Sequence, residues 1–141
     1  MKEIRLQIPA HADYIDIVRV CLFSIATKLS FSYEDIEDMK VAVSEACNNA
    51  VLHGEQANQE NDIDVSFEPS DTCLTIRVKN KGSFEHEDVM NEAAPLEGSE
   101  IQDLPVGGLG IFLMQALMDE VTVETLDHVT EVTLIKHIVR D

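Results

Sequence analysis

The chain opens on alternation: Ile4, Leu6 and Ile8 are apolar while Arg5 and Gln7 are polar, which predicts a half-buried strand ending at Pro9. The period then changes. Between Asp13 and Leu29, Ile17, Val18, Cys21, Leu22, Ile25 and Leu29 recur at threes and fours, predicting a helix with one broad core-facing stripe. Ser32 is placed to cap a second helix, with Glu34 and Asp35 in its first turn where the helix dipole favours them. Along that helix Ile36, Met39, Val43, Ala46, Cys47 and Ala50 make a second apolar stripe. Gly54 and the polar tract Gln56 to Asn61 end it. Alternation returns in Ile63, Val65 and Phe67, breaks at Pro69-Ser70-Asp71, and resumes in Leu74, Ile76 and Val78, the pattern of an antiparallel hairpin with one face buried.

From Lys79 the pattern stops. Asn80-Lys81-Gly82 reads as a turn, and Ser83 to Asp103 carries seven acidic residues and neither Lys nor Arg. A loop of that length is either a lid, about residues 83–106, or a disordered acidic insertion. Order resumes at Val106-Gly107-Gly108-Leu109-Gly110, followed by Ile111, Leu113, Met114, Leu117 and Met118 at helical spacing. Two strands close the chain, Glu120 to Leu126 with Val121 and Val123 inward, and Thr130 to Val139 with a less regular alternation. Strands with one apolar face call for a single layer of helices over one side of one sheet, and no linker or repeat divides residues 1–141 into two domains.

Composition adds limits. A content of 45% hydrophobic and 26% charged residues suits a globular domain with its own core. There is no apolar run long enough for a membrane span and no secretion-signal core at the N-terminus, so a cytoplasmic location with no membrane contact is expected. Cys21, Cys47 and Cys73 are scattered in apolar patterns, as reduced core thiols are. The net charge of -17 opposes direct nucleic acid binding and suits either a solubilising surface or a basic protein partner. An anionic ligand would need backbone amides, a helix N-terminus and a cation.

The candidate chemistry lies mostly on the second helix. Glu45, Asn49 and His53 are spaced i, i+4, i+8 and share one side, while Asn48 points about 100° away from Asn49. A carboxylate and an amide oxygen one turn apart can hold a hard cation or position a hydroxyl, or simply form a solvated helix edge. Gly107, Gly108 and Gly110 at a helix entrance expose amides to a phosphate, or make a tight turn.

The stretches I-E-D-M-K-V-A-V-S-E-A-C-N-N-A-V-L-H and G-G-L-G-I-F-L-M-Q-A-L-M-D-E-V, with a strand running into N-K-G between them, resemble the anti-sigma factor serine kinases of the RsbW and SpoIIAB type. These belong to the Bergerat-type ATP-binding superfamily, and the likeness extends to P-A-H-A-D-Y-I-D-I-V-R near the N-terminus. The resemblance implies an α/β (α+β) two-layer sandwich, a mixed, mostly antiparallel sheet with helices on one face. It implies ATP and Mg²⁺ as cofactors, Asn49 as the magnesium ligand and Glu45 as the general base. Gly82 matches the turn beneath the adenine, Gly107, Gly108, Leu109 and Gly110 the phosphate-side loop, and Thr130 a threonine near the base. His53 lies beside the site by spacing, with a packing role as the alternative. Asn80 stands where the family usually has an adenine-reading aspartate; its oxygen can accept the same hydrogen bond without charge assistance, which predicts weaker nucleotide binding. The implied partners are a sigma factor, a STAS-type antagonist and a second copy of the chain. A non-catalytic partner-switching regulator and a stand-alone ATPase domain are the rival functions. The chain has no helix pair bearing a phosphoacceptor histidine, which argues against two-component signalling.

Overall fold

A computed structural model describes residues 2–53, 61–81 and 108–139, with the side chain of His53 outside that set. The expected lid, Gly54, Gly82 and Gly107 also lie outside the described residues. Strand β1 (Ile4–Pro9) leads through a short 3₁₀ turn (Ala12–Tyr14) into helix α1 (Ile15–Lys28), and helix α2 (Tyr33–His53) follows. Strands β2 (Asp62–Pro69) and β3 (Cys73–Lys81) come next, then helix α3 (Gly108–Leu117) and strands β4 (Glu120–Leu126) and β5 (Val129–His137).

The strands form one sheet in the order β1-β2-β3-β5-β4. Its four pairings are all antiparallel, so among the described residues the mixed sheet implied by the resemblance has no parallel pair. The alternation decides which face is covered. Ile63, Val65 and Phe67 in β2, Leu74, Ile76 and Val78 in β3, and Val132 and Leu134 in β5 are buried beneath the helices. The whole predicted stripe of α2, from Ile36 to Ala50, is buried with them.

Local signals behave as their chemistry requires. Ser32 Oγ accepts from the Asp35 amide at 3.1 Å, capping α2 as expected. Ser70 Oγ accepts from the amides of Thr72 and Cys73 at 3.2 and 3.1 Å and closes the β2–β3 turn. At the end of α1 the Phe31 amide reaches back to the Ala26 carbonyl, with Ser30 left-handed at φ 66° between them.

Three expectations are corrected. Ile17 is 46% exposed, because Val18, Leu22 and Ile25 already fill the narrower strip of α1 that meets the core. Asn80 and Lys81 are not a turn: β3 continues through them, Asn80 pairing with Ile63 on one side and Thr130 on the other. The last strand ends at His137 rather than Val139 and alternates regularly, with Thr130, Val132 and Leu134 all buried.

The β4–β5 connection is a two-residue turn in which Asp127 and His128 both have positive φ, 55° and 64°. That geometry favours glycine at the second position. His128→Gly should raise stability by about 0.5–1 kcal/mol, a gain of roughly a few degrees in Tm by thermal melting.

Candidate active site

Among the described residues the buried polar or charged side chains are Asn49, Thr75, Asn80 and Thr130. All but Thr75 belong to the site proposed from sequence. Asn80 and Thr130 face each other across β3 and β5, at inward positions continuing the buried rows of those strands. The Asn80 amide donates weakly to the carbonyls of Ala50, at 3.5 Å, and Lys81, at 3.3 Å, and so ties the sheet to the C-terminal half of α2. With its nitrogen turned to two carbonyls, its oxygen is the atom left to accept from a ligand. An aspartate in that pose would set an oxygen against both carbonyls. Thr130 Oγ1 lies 3.0 Å from Thr125 Oγ1 on β4, a cross-strand hydroxyl pair.

Immediately before Ala50 in the chain, Asn49 is only 6% exposed, and among the described residues its side-chain amide has no hydrogen-bond partner. A buried amide without a partner is costly and calls for an explanation. Glu45, one turn earlier, is half-buried. Both approach the first turn of α3: a Cβ added to Gly110 would sit 3.0 Å from Glu45 Oε2, 3.5 Å from Asn49 Nδ2 and 3.7 Å from Asn49 Oδ1. Glycine at 110 is therefore what lets the two helices bring a carboxylate, an amide and a helix N-terminus together. The first amides of α3, in Gly108, Leu109 and Gly110, have no acceptor within their own helix and carry the positive end of its dipole.

Cys47 lies between Glu45 and Asn49 in sequence but on the core side of α2; burial pushes its thiol up to about 12, with only a small opposing effect from Arg19, so it is no nucleophile. Sequence inspection missed Lys136, whose Nζ donates to the Leu117 carbonyl at 2.6 Å. The signal was present: Lys136 occupies the next inward position after Thr130, Val132 and Leu134, and made the alternation look irregular.

Residues 8–136 match the family described as the histidine kinase-like ATPase domain. The serine-protein kinase RsbW of Bacillus licheniformis is 41% identical over 141 residues, 98% of this chain and 87% of that protein. That of Staphylococcus epidermidis is 40% identical over 98% of this chain and 88% of its own length. The chain belongs to the RsbW family. RsbW of Bacillus subtilis is more distant, 36% identical over 129 residues, 90% of this chain and 81% of that one. The fold is also shared with the RsbU and RsbW domains of a Mycobacterium tuberculosis protein, at TM-score 0.72 and 20% identity over 100% of this chain and 34% of that one. The SiaB–SiaC complex of Pseudomonas aeruginosa gives TM-score 0.60 at 13% identity, over 96% of this chain and 89% of that one.

In this RsbW-family chain the donor set suits Mg²⁺. No cluster of three or more His, Cys, Asp or Glu side chains that could bind a metal exists among the described residues. Magnesium does not need one, because it keeps waters and phosphate oxygens around one or two protein oxygens. The amide of Asn49, which has no hydrogen-bond partner among the described residues, would offer such an oxygen, and the space that a Cβ of Gly110 would fill lies beside it.

Gly110→Ala separates folding from function. Alanine favours the helix by about 1 kcal/mol over glycine, and the flexible Glu45 carboxylate can yield a few tenths of an ångström, so Tm should hold or rise. Nucleotide affinity, measured by titration, should fall about tenfold or more as the added methyl fills the gap and displaces the Glu45 carboxylate.

Proposed function

We propose that the chain is a cytoplasmic anti-sigma factor that sequesters an RNA polymerase sigma subunit and, using Mg-ATP, phosphorylates a serine on a STAS-type antagonist. The observation that carries this reading is the meeting of Glu45, Asn49 and the N-terminal turn of α3 at Gly110. Membership of a family whose curated members are serine-protein kinases supports it. No helix among the described residues is long and apolar enough to cross a membrane, which is compatible with a cytoplasmic protein.

The roles follow from chemistry and position. Asn49 Oδ1 would hold Mg²⁺, and the amides of Gly108, Leu109 and Gly110, with Gly107 before them, would receive the phosphates. When bound, Mg²⁺ would neutralise charge on the β- and γ-phosphate oxygens. Asn80 Oδ1 would accept from the adenine amine, with Gly82 beneath the ring, Thr130 beside Asn80, and His53 at the end of α2 completing the neighbourhood. Glu45 would orient the antagonist's serine and take its proton. The serine Oγ then forms a bond to the γ-phosphorus as the bond from that phosphorus to the bridging oxygen breaks, and ADP leaves with the electron pair.

We read residues 1–141 as one ATP-binding domain that acts as a homodimer, contacts its partners through protein surfaces and does not bind nucleic acid. The charge of -17 supports the last point.

Transfer of label from γ-labelled ATP to a STAS-domain acceptor from the same genome tests the chemistry. Glu45→Ala should reduce transfer about 10²-fold or more while ATP still binds. Undiminished transfer in Glu45→Ala removes Glu45 as the base, and no transfer by the wild type contradicts the kinase assignment.

A further inference from the structure

The polar inward positions of the sheet stand at its two ends. Asn80 and Thr130 mark the end where Asn80 meets the Ala50 carbonyl of α2, and Lys136, paired in register with Leu74, marks the other. The Lys136 side chain is only 12% exposed. Its ammonium donates to the carbonyl of Leu117, the last residue of α3, and lies 3.9 Å from both Asp35 Oδ1 and Asp38 Oδ2 in the first turns of α2. A cation at this point satisfies an orphan carbonyl and complements the negative end of the α3 dipole.

The neighbouring backbone is tied to the same strand. The Asp119 amide donates to the Ile135 carbonyl at 2.9 Å, and Asp119 Oδ2 accepts from the His137 amide at 2.6 Å. The C-terminal end of α3 is therefore pinned to β5 and, through Lys136, to the start of α2. Its N-terminal end carries Gly110 against Glu45 and Asn49, in the second half of α2. The two helices run antiparallel, bridged by Lys136 at one end and with Gly110 facing Glu45 and Asn49 at the other, and Ile111, Met114 and Met118 are buried. Interdigitated apolar side chains restrict sliding along the helix axis, and a directional hydrogen bond at one end adds a specific distance and angle that narrows the register further. Because a ten-residue helix is a stiff rod about 15 Å long, a shift at Leu117 is passed on to Gly110.

We propose that Lys136 is a positioning residue for the nucleotide site: it sets the axial register of α3 against α2 and thereby the gap between the α3 amides and the Glu45–Asn49 pair. The proposal rests on the ATP-binding reading above. Asp35 and Asp38 hold the ammonium in place, and the methylene stem of Lys136 packs in the same layer as Leu134.

The test is titration of Mg-ATP into the wild type, Lys136→Met and Lys136→Arg at a temperature well below every melting midpoint. Methionine keeps the apolar stem and removes the donor. Affinity should fall about tenfold in Lys136→Met and return to within about threefold of wild type in Lys136→Arg, since a guanidinium can still reach the carbonyl. A lower midpoint with unchanged affinity in Lys136→Met makes the residue purely structural and overturns the proposal while leaving the nucleotide site intact. If the wild type itself takes up no Mg-ATP, the ATP-binding reading falls and the proposal with it. Should Lys136→Met not fold, Asp35→Asn combined with Asp38→Asn loosens the clamp from the α2 side; weakened affinity there supports the positioning role and unchanged affinity overturns it.

Discussion

Everything at the site depends on the rotation of α2 about its own axis. The helix buries Ile36, Met39, Ala42, Val43, Ala46, Cys47 and Ala50, none more than 4% exposed, between the sheet and its neighbouring helices. Burying a single side chain of the size of Met39 or Val43 is worth about 1.5–3 kcal/mol, so turning the helix by one residue, about 100°, would forfeit much of the core. Since successive residues are locked at that angle, burial of Ala46 and Ala50 also fixes where Glu45 and Asn49 point. The energy that folds the protein aims its chemistry, and no separate device is needed on α2.

What must be set independently is the approach of α3. Glycine at 110 permits close contact, and the buried amide of Asn49, without a hydrogen-bond partner among the described residues, is the group we propose makes use of that contact. The sheet makes the same division between packing and chemistry. Its inward rows are apolar in the middle and polar at the ends, with Asn80 and Thr130 under the site and Lys136 at the opposite edge. Polar groups there can meet helix ends, carbonyls or ligands, which the middle of the core cannot offer. The outward face carries paired charges instead, Arg77 with Glu68 and Lys79 with Glu131, in keeping with a face that no described helix covers.

The parts of the fold legible in sequence are those governed by local period. The α2 stripe, the β2–β3 hairpin and the Ser32 cap depend on residues a few places apart, and each stands where periodicity and capping chemistry put it. Glu45 and Asn49 were visible for the same reason, being one helical turn apart. The misplacements have a different origin. Asn80 and Lys81 have turn-like composition, yet pairing with Ile63 and Thr130, distant in sequence, keeps them in the strand. Ile17 fits the helical period of α1 equally well inside or outside, and only the width of the contact leaves it exposed. Lys136 looked like an interruption because its partners lie on α2 and α3. Resemblance supplied what period could not, namely the roles proposed for Gly82, Gly107 and Asn80 toward a nucleotide.

We propose that α2 and α3 together form a site for Mg-ATP built on Asn49. Isothermal calorimetry of Mg-ATP binding to the wild type and to Asn49→Ala tests it most directly. Saturable one-site heat is expected in the wild type and should be lost or weakened at least about tenfold in Asn49→Ala, with the two proteins melting within a few degrees of each other. Equal binding by both would contradict it, because the buried amide of Asn49 would then have no part in holding the nucleotide.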